Sequence, residues 1–446
     1  MYSPILEAIK KHNTRSRVSF HMPGHKGTAD CLAPLAAALE LDITELPDTG
    51  SLFDGAGPTA QAEELAATAF HSAASFMSTG GCTLCIQAML RLAVPCGGTL
   101  LCSRTIHRAA INAMASLDIQ PVWILPDDSA GPGFAGRITV ESVRRAVCEN
   151  SDVKAIYLTS PDYFGVLSDI RAIAGIASLA GIPLLVDNAH GAHLGFLKGY
   201  ESPLAAGAAI SADSAHKTLP VLTGGAWLNI GDTRFVEGAR GAMALFGSTS
   251  PSYPVMVSLD LCRAWLEEKG TTELERVRRQ TAAIKDTLCQ YGFSVPTGLC
   301  DPLRVAFHGG DGWSAREVGT VLREHGIEPE YAGPGGLILI PSPFNTPDDF
   351  ARLFSAMEVM ARCCPPDAVG TAPVAMPLPP AVMTPREAIT AISETVTVTS
   401  AVGRVAATAA CPCPPAIPAI MPGERLTPEV CVILSQYGVH NISVVK

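Results

Sequence analysis

The sequence predicts an α/β fold, a mainly parallel sheet covered by helices, on three observations. Between residues 55 and 231, apolar strand-like runs alternate with Ala-rich stretches, the rhythm of strands joined by crossover helices. Several of those runs are apolar at every position, as strands buried on both faces require. The chain has 446 residues, 48% hydrophobic and 17% charged. That composition is too apolar for disorder and sufficient for two or three domains of roughly 150 residues each.

Taken in order, the first eleven residues are amphipathic and lack a basic start followed by an apolar stretch, so no signal peptide is expected. Within the α/β region the expected strands are 99–102, 121–125, 154–159, 182–186 and 226–230. The expected helices are 59–70, 83–93, 140–147 and 170–179. From about residue 257 a charged helix, 272–290, and short strand-like pieces at 303–307 and 336–340 suggest a smaller α+β domain. Prolines crowd 364–385 too densely for a regular helix, so that stretch reads as a linker. The predicted organisation is an N-terminal segment (1–54), a large α/β domain (55–256), a small α+β domain (257–363), a Pro-rich linker (364–385) and a short C-terminal region (386–446).

Charge and cysteine content exclude some classes. With 32 Lys+Arg against 42 Asp+Glu the formal charge is −10, which gives no nucleic-acid footprint. No apolar run reaches the roughly 18 residues of a membrane span. The 14 cysteines are too sparse and irregular for a secreted disulfide scaffold, so reduced thiols and a cytoplasmic location are expected.

The sharpest local feature is Ser214-Ala215-His216-Lys217-Thr218-Leu219-Pro220, just before the Gly224-Gly225 turn. Alone, Lys217 reads equally as a surface cation. Asp187 closes the apolar run 182–186, at the strand edge where open α/β sheets bind ligands; by itself it reads as a helix cap. An acid for a ring nitrogen and an amine for a Schiff base are together what a pyridoxal phosphate (PLP) site requires. Ser78-Thr79-Gly80-Gly81-Cys82-Thr83 precedes a helical stretch and offers backbone N–H groups to a phosphate, or is an ordinary Gly-rich turn. Cys82 and Cys85 form one C-x-x-C with no second pair at zinc spacing, and read as a buried thiol pair. His21/His25 and His190/His193 lack the glutamate of a zinc-protease helix, so no metal is assigned.

These residues, in this order, resemble the shorter form of the ornithine/lysine/arginine decarboxylases of PLP fold type I, the aspartate-aminotransferase-like fold. The resemblance runs through His21-Met22-Pro23-Gly24-His25-Lys26-Gly27, Asp42 to Leu46, Gly50 to Phe53, Thr79 to Thr83, Asp187 to His193 and Ser214 to Pro220. It continues in Thr249 to Pro254, Thr384 to Ala388, Pro414 to Pro418 and Pro422-Gly423-Glu424.

The resemblance implies PLP-dependent decarboxylation of a basic amino acid (arginine, lysine or ornithine) to CO2 and an amine, the chemistry of polyamine biosynthesis. It implies a Schiff base on Lys217, pairing of the ring nitrogen with Asp187, and return of a proton by Lys217 or His216. His107 and Ala189 would cover the two ring faces. Gly81, Cys82, Thr83, Ser214 and His216 would hold the phosphate, with Thr249 reaching the site of the other subunit of a homodimer. Three positions depart from the pattern: Asn188 where a glutamate is common, Cys82 where a hydroxyl is usual, and Cys413 where an aromatic residue precedes Pro-Pro. A distal substrate cation needs an acid, for which Asp48, Asp54 and Glu424 are candidates; each reads equally as a structural carboxylate. The competing expectations are another fold type I activity, aminotransferase or lyase, and a PLP-binding paralogue without turnover.

Overall fold

The computed structural model describes the chain except residues 16–17, 128, 131–133, 135, 311, 367–377 and 411–417. It divides into two compact units, Met1–Ala93 with Leu185–Glu273, and Val94–Leu184 with Leu274–Lys446. Twelve strands follow in chain order: β1 Ala74–Ser78, β2 Gly98–Ser103, β3 Ile119–Ile124, β4 Val153–Thr159, β5 Leu184–Asp187, β6 Ile210–Asp213, β7 Ala226–Ile230, β8 Val305–Phe307, β9 Tyr331–Gly333, β10 Gly336–Leu339, β11 Ser393–Thr397 and β12 Asn441–Val445.

In the first unit the strands lie in the order β1-β7-β6-β5. β5 and β6 are parallel, with Asp187 opposite Ala212. β7 runs antiparallel to β6 and β1, pairing Ser211 with Asn229 and Asn229 with Ser75. β5 is buried at every position, and Leu185 and Val186 expose nothing. Burying such a side chain stabilises by about 1.5–3 kcal/mol. The helix Gly81–Ala93 packs on β6, β7 and the helix Val236–Phe246. The N-terminal helix Pro4–Asn13 is capped by Ser3, which accepts from Leu6 N and donates to the buried Asp260 carboxylate at 2.6 Å.

In the second unit β2 lies between β4 and β3, parallel to both. A three-stranded antiparallel sheet, β8-β10-β9, is covered by helices Thr271–Gln290, Ala315–Glu324 and Pro347–Cys363, with Leu288, Val318, Leu337 and Met357 in its core. β11 and β12 form an antiparallel pair over a separate C-terminal core of Ala406, Ile420, Val430 and Leu434.

The expected strands and helices are all present within one or two residues at each end, and β7 matches the expectation to the residue. The run expected at 182–186 is strand only from Leu184, and the one expected at 121–125 begins at Ile119. β1 and β6 were not expected: Ala74–Ser78 and Ile210–Asp213 are short and carry serines and an aspartate that interrupt the apolar pattern. Half of the Pro-rich stretch, 367–377, lies outside the described residues, and Pro385 opens a helix, Pro385–Thr390. Among the described residues no helix is long and apolar enough to cross a membrane.

Candidate active site

Asp187 is the last residue of β5 and is 1% exposed. The chain turns immediately after it, and Ala189 N donates to its Oδ1 at 3.1 Å. Beyond the end of β6, Ser214 leads into the four-residue helix Ala215–Thr218, which carries Lys217 half-buried. Lys217 Nζ lies 3.1 Å from His190 Nε2. His190 follows Asp187 by three residues, so one turn supplies both the buried carboxylate and the imidazole facing the amine. His190 is a site residue beyond those expected from the sequence; its place in Asp187-Asn188-Ala189-His190 is the available signal.

His216 is anchored differently. Its Nδ1 donates to Gly225 O at 3.0 Å, with Ser214 Oγ at 3.4 Å, and its backbone N donates to the same carbonyl at 3.3 Å. Nδ1 therefore carries a proton and Nε2 is the nitrogen left for chemistry.

The glycine turn is built by Ser78, whose Oγ accepts from Gly80 N at 3.2 Å and donates to Gly81 O at 2.9 Å. Gly81 N donates to Gly224 O at 2.8 Å, tying the turn to the segment before β7. Gly81 has φ +70°, which favours glycine, and a Cβ there would meet nothing within 4 Å. The turn thus faces open space at the N-terminus of a thirteen-residue helix, where backbone N–H groups and the helix dipole favour an anion.

Cys82, in the first turn of that helix, reports the convergence of these pieces. Burial pushes its thiol well above the ordinary range; the Asp187 charge and the neighbouring Cys85 push further, Lys217 pulls back, and Asp213 adds to the rise. Asp187, Lys217 and the glycine turn therefore share one neighbourhood. Cys85 is buried too, and both are free thiols, as are the other described cysteines. Ala189 is buried, while Thr83 and Thr249 are exposed. His107 lies in the second unit, where it is exposed and caps the helix Arg108–Leu117, its Nδ1 accepting from Ala109 N at 3.1 Å.

A half-buried amine, a buried carboxylate at a strand's C-terminal end and an open anion cradle fit PLP. A family model described as Orn/Lys/Arg decarboxylase, major domain, matches residues 3–294, and one for the C-terminal domain of the same family matches 371–437. The chain belongs to the Orn/Lys/Arg decarboxylase family. It is 31% identical to the uncharacterized protein YaaO of Bacillus subtilis over 98% of this chain and 94% of that protein. It is 30% identical to the arginine decarboxylase of the same organism, over 96% and 92% respectively. The solved lysine decarboxylase LdcF of Francisella novicida superposes with a TM-score of 0.85 at 19% identity, covering 99% of this chain and 81% of that one. The fold is that of the PLP fold type I enzymes, and the family makes the chain an amino-acid decarboxylase.

The acids considered for a substrate cation fare unequally. Glu424 is 2% exposed and both its oxygens are engaged by Arg104, at 2.7 and 2.8 Å. It is a structural carboxylate, because a buried guanidinium needs that bidentate partner. Asp48 pairs with Arg15 and with His12 at 3.3 Å, and Asp54 is exposed. His25 Nε2 lies 3.0 Å from Asp42 Oδ2. Among the described residues no group of three His, Cys, Asp or Glu could hold a metal. Cys413 and the Pro-Pro that follows it lie outside the described residues.

Proposed function

We propose that this chain decarboxylates a basic amino acid, arginine, lysine or ornithine, to the corresponding amine with PLP bound at Lys217. The observation that carries the proposal is Lys217 Nζ held 3.1 Å from His190 Nε2, on the same strand-end shelf as the buried Asp187. PLP, when bound, supplies an electron-withdrawing ring that takes up the electron pair released with CO2. The remaining work falls to the chain. Asp187 would accept a hydrogen bond from the ring N–H, leaving the proton on the nitrogen so that the ring stays cationic. His190 Nε2 receives the proton that Lys217 must shed before its amine is nucleophilic. Lys217 Nζ or His216 Nε2 then delivers a proton to the substrate Cα. Gly81, Cys82, Thr83, Ser214 and His216 would hold the phosphate, and His107 and Ala189 are the residues proposed for the two ring faces.

The same proposal extends to assembly as a homodimer, with Thr249 serving the partner's phosphate site. Val18 and Phe20, 82% and 95% exposed in the single chain, give such a contact apolar surface. A cytoplasmic enzyme of polyamine biosynthesis, with boundaries at 55–256, 257–363 and 386–446, completes the reading.

The test is borohydride reduction of the PLP-loaded protein followed by peptide mapping, then incubation with arginine, lysine and ornithine. Label on Lys217 with CO2 and an amine from one of the three is expected. Label elsewhere, or none, ends the proposal; keto-acid product would make the protein an aminotransferase, and a labelled lysine without turnover a PLP-binding paralogue.

A further inference from the structure

A second buried carboxylate lies directly behind the first. In the parallel register of β5 and β6, Asp187 and Ala212 face one side of the sheet and Ser211 and Asp213 the other. Asp213 is 3% exposed and Asn188, the residue after Asp187, is 2% exposed. Asn188 Nδ2 donates to Asp213 Oδ1 in a short contact. Asp213 Oδ2 accepts from Ser211 Oγ, also in a short contact, and from Asn229 Nδ2 at 2.9 Å. Asn229 Oδ1 in turn accepts from Ser75 Oγ at 2.5 Å. The unexpected strands β1 and β6 supply Ser75, Ser211 and Asp213 to this row.

We propose that Asp213 is a positioning residue that acts through Asn188 to hold Asp187 at a fixed setting relative to the turn bearing Lys217. The inference rests on the cofactor assignment made above. Asn188 follows Asp187 and Asp213 precedes Ser214, so their hydrogen bond crosslinks the two strand ends just where the two functional segments depart. The backbone adds a second tie, Asn188 N to Ala212 O at 3.0 Å.

Packing leaves space beside Asn188. A cavity of about 110 Å³ is lined by Asn188, Ser211, Asp213 and Asn229, with Phe70 and Phe196 among its walls. Asn188 Oδ1 has no hydrogen-bond partner among the described residues. The orientation of the amide is therefore set by Asp213, which accepts and so selects the Nδ2 edge. Burying a carboxylate among neutral donors is costly; burial raises the pKa of Asp213, the hydrogen bonds lower it, and the Asp187 charge raises it again. The departure at Asn188 from the family's glutamate then has a reason: the buried acid stands on the neighbouring strand, and an amide is the residue that pairs with it.

The experiment is a reciprocal swap: Asp213→Asn, Asn188→Asp and the double variant Asn188→Asp/Asp213→Asn. In the apoprotein, hydrogen exchange at the Asn188 and Ala189 amides accelerates in each single variant and returns towards wild type in the double, while the amides of the C-terminal β11–β12 pair stay unchanged. With PLP, each single variant raises the dissociation constant about tenfold, equivalent to 1.4 kcal/mol, and shifts the spectrophotometric pH titration of the bound cofactor. The double variant recovers most of both. Ser211→Ala removes one donor to Asp213 without touching Asn188 and gives a smaller change of the same sign, which serves if a single variant does not fold. Wild-type behaviour of Asp213→Asn, or a double variant no better than the worse single, overturns the inference. If wild type takes up no PLP, the cofactor assignment fails, and amide exchange still decides whether the crosslink exists.

Discussion

Replacing Glu424 by Gln separates a structural carboxylate from a substrate-binding one. Arg104 is fully buried; its guanidinium meets both Glu424 oxygens, its Nε donates to Pro418 O at 3.2 Å, and it stacks 4.7 Å from the centroid of the Trp123 ring. Glu424 Oε2 also accepts from Met421 N at 2.8 Å. A glutamine keeps the shape, but its single carbonyl cannot replace two carboxylate oxygens. Its NH2 must then confront either an Arg104 N–H or the Met421 N–H. Two charge-assisted hydrogen bonds are lost or inverted, each worth about 1.5–3 kcal/mol, and the guanidinium stays buried without a countercharge. The expected cost is about 3–5 kcal/mol. Urea denaturation of the apoprotein, followed by far-ultraviolet circular dichroism, reads it as an earlier transition. The KM of residual folded enzyme for its amino acid stays at the wild-type value. A variant as stable as wild type whose KM for a basic substrate rises sharply would refute the argument and return Glu424 to the substrate site.

Two other consequences concern a pKa and a turn. Asp162 is buried, accepts from Val166 N at 2.7 Å, and its Oδ2 has no hydrogen-bond partner among the described residues; burial raises its pKa to about 7. An acid raised above its unfolded value takes up a proton on folding, so stability falls as pH rises from about 4, where the unfolded group ionises, to about 7. Asp162→Asn should flatten that part of the stability profile measured by denaturant melts across the range, and an unchanged slope would contradict it. Gly81→Ala has room for the methyl group but keeps φ at +70°, which costs a non-glycine residue about 1–2 kcal/mol. The methyl group also enters the space assigned to the phosphate, so PLP affinity by fluorescence titration should fall at least about tenfold, or 1.4 kcal/mol, with the fold retained. Unaltered affinity would move the phosphate away from this turn.

Much of this protein was legible along the chain, because period and composition are local properties. The run ending in Asp187 reads as a buried strand since Leu184, Leu185 and Val186 are apolar on both faces, and β7 was bounded correctly for the same reason. Lys217 and Asp187 stand out as residue types in motifs, and the ordered blocks around them carried the family resemblance. Other features depend on which residues meet in space. β6 is not legible because Ser211 and Asp213 break the apolar pattern; Asp213 meets Asn188 and Asn229, and Asn229 in turn meets Ser75 across 154 positions. His190 gained its role only when the helix after β6 brought Lys217 Nζ to it across 27 positions. Glu424 looked as available as any acid until Arg104, 320 residues away, was seen to occupy it. Sequence order fixes periodicity and motif, whereas the pairing of a buried charge is settled by chain closure over long separations, which packing alone decides.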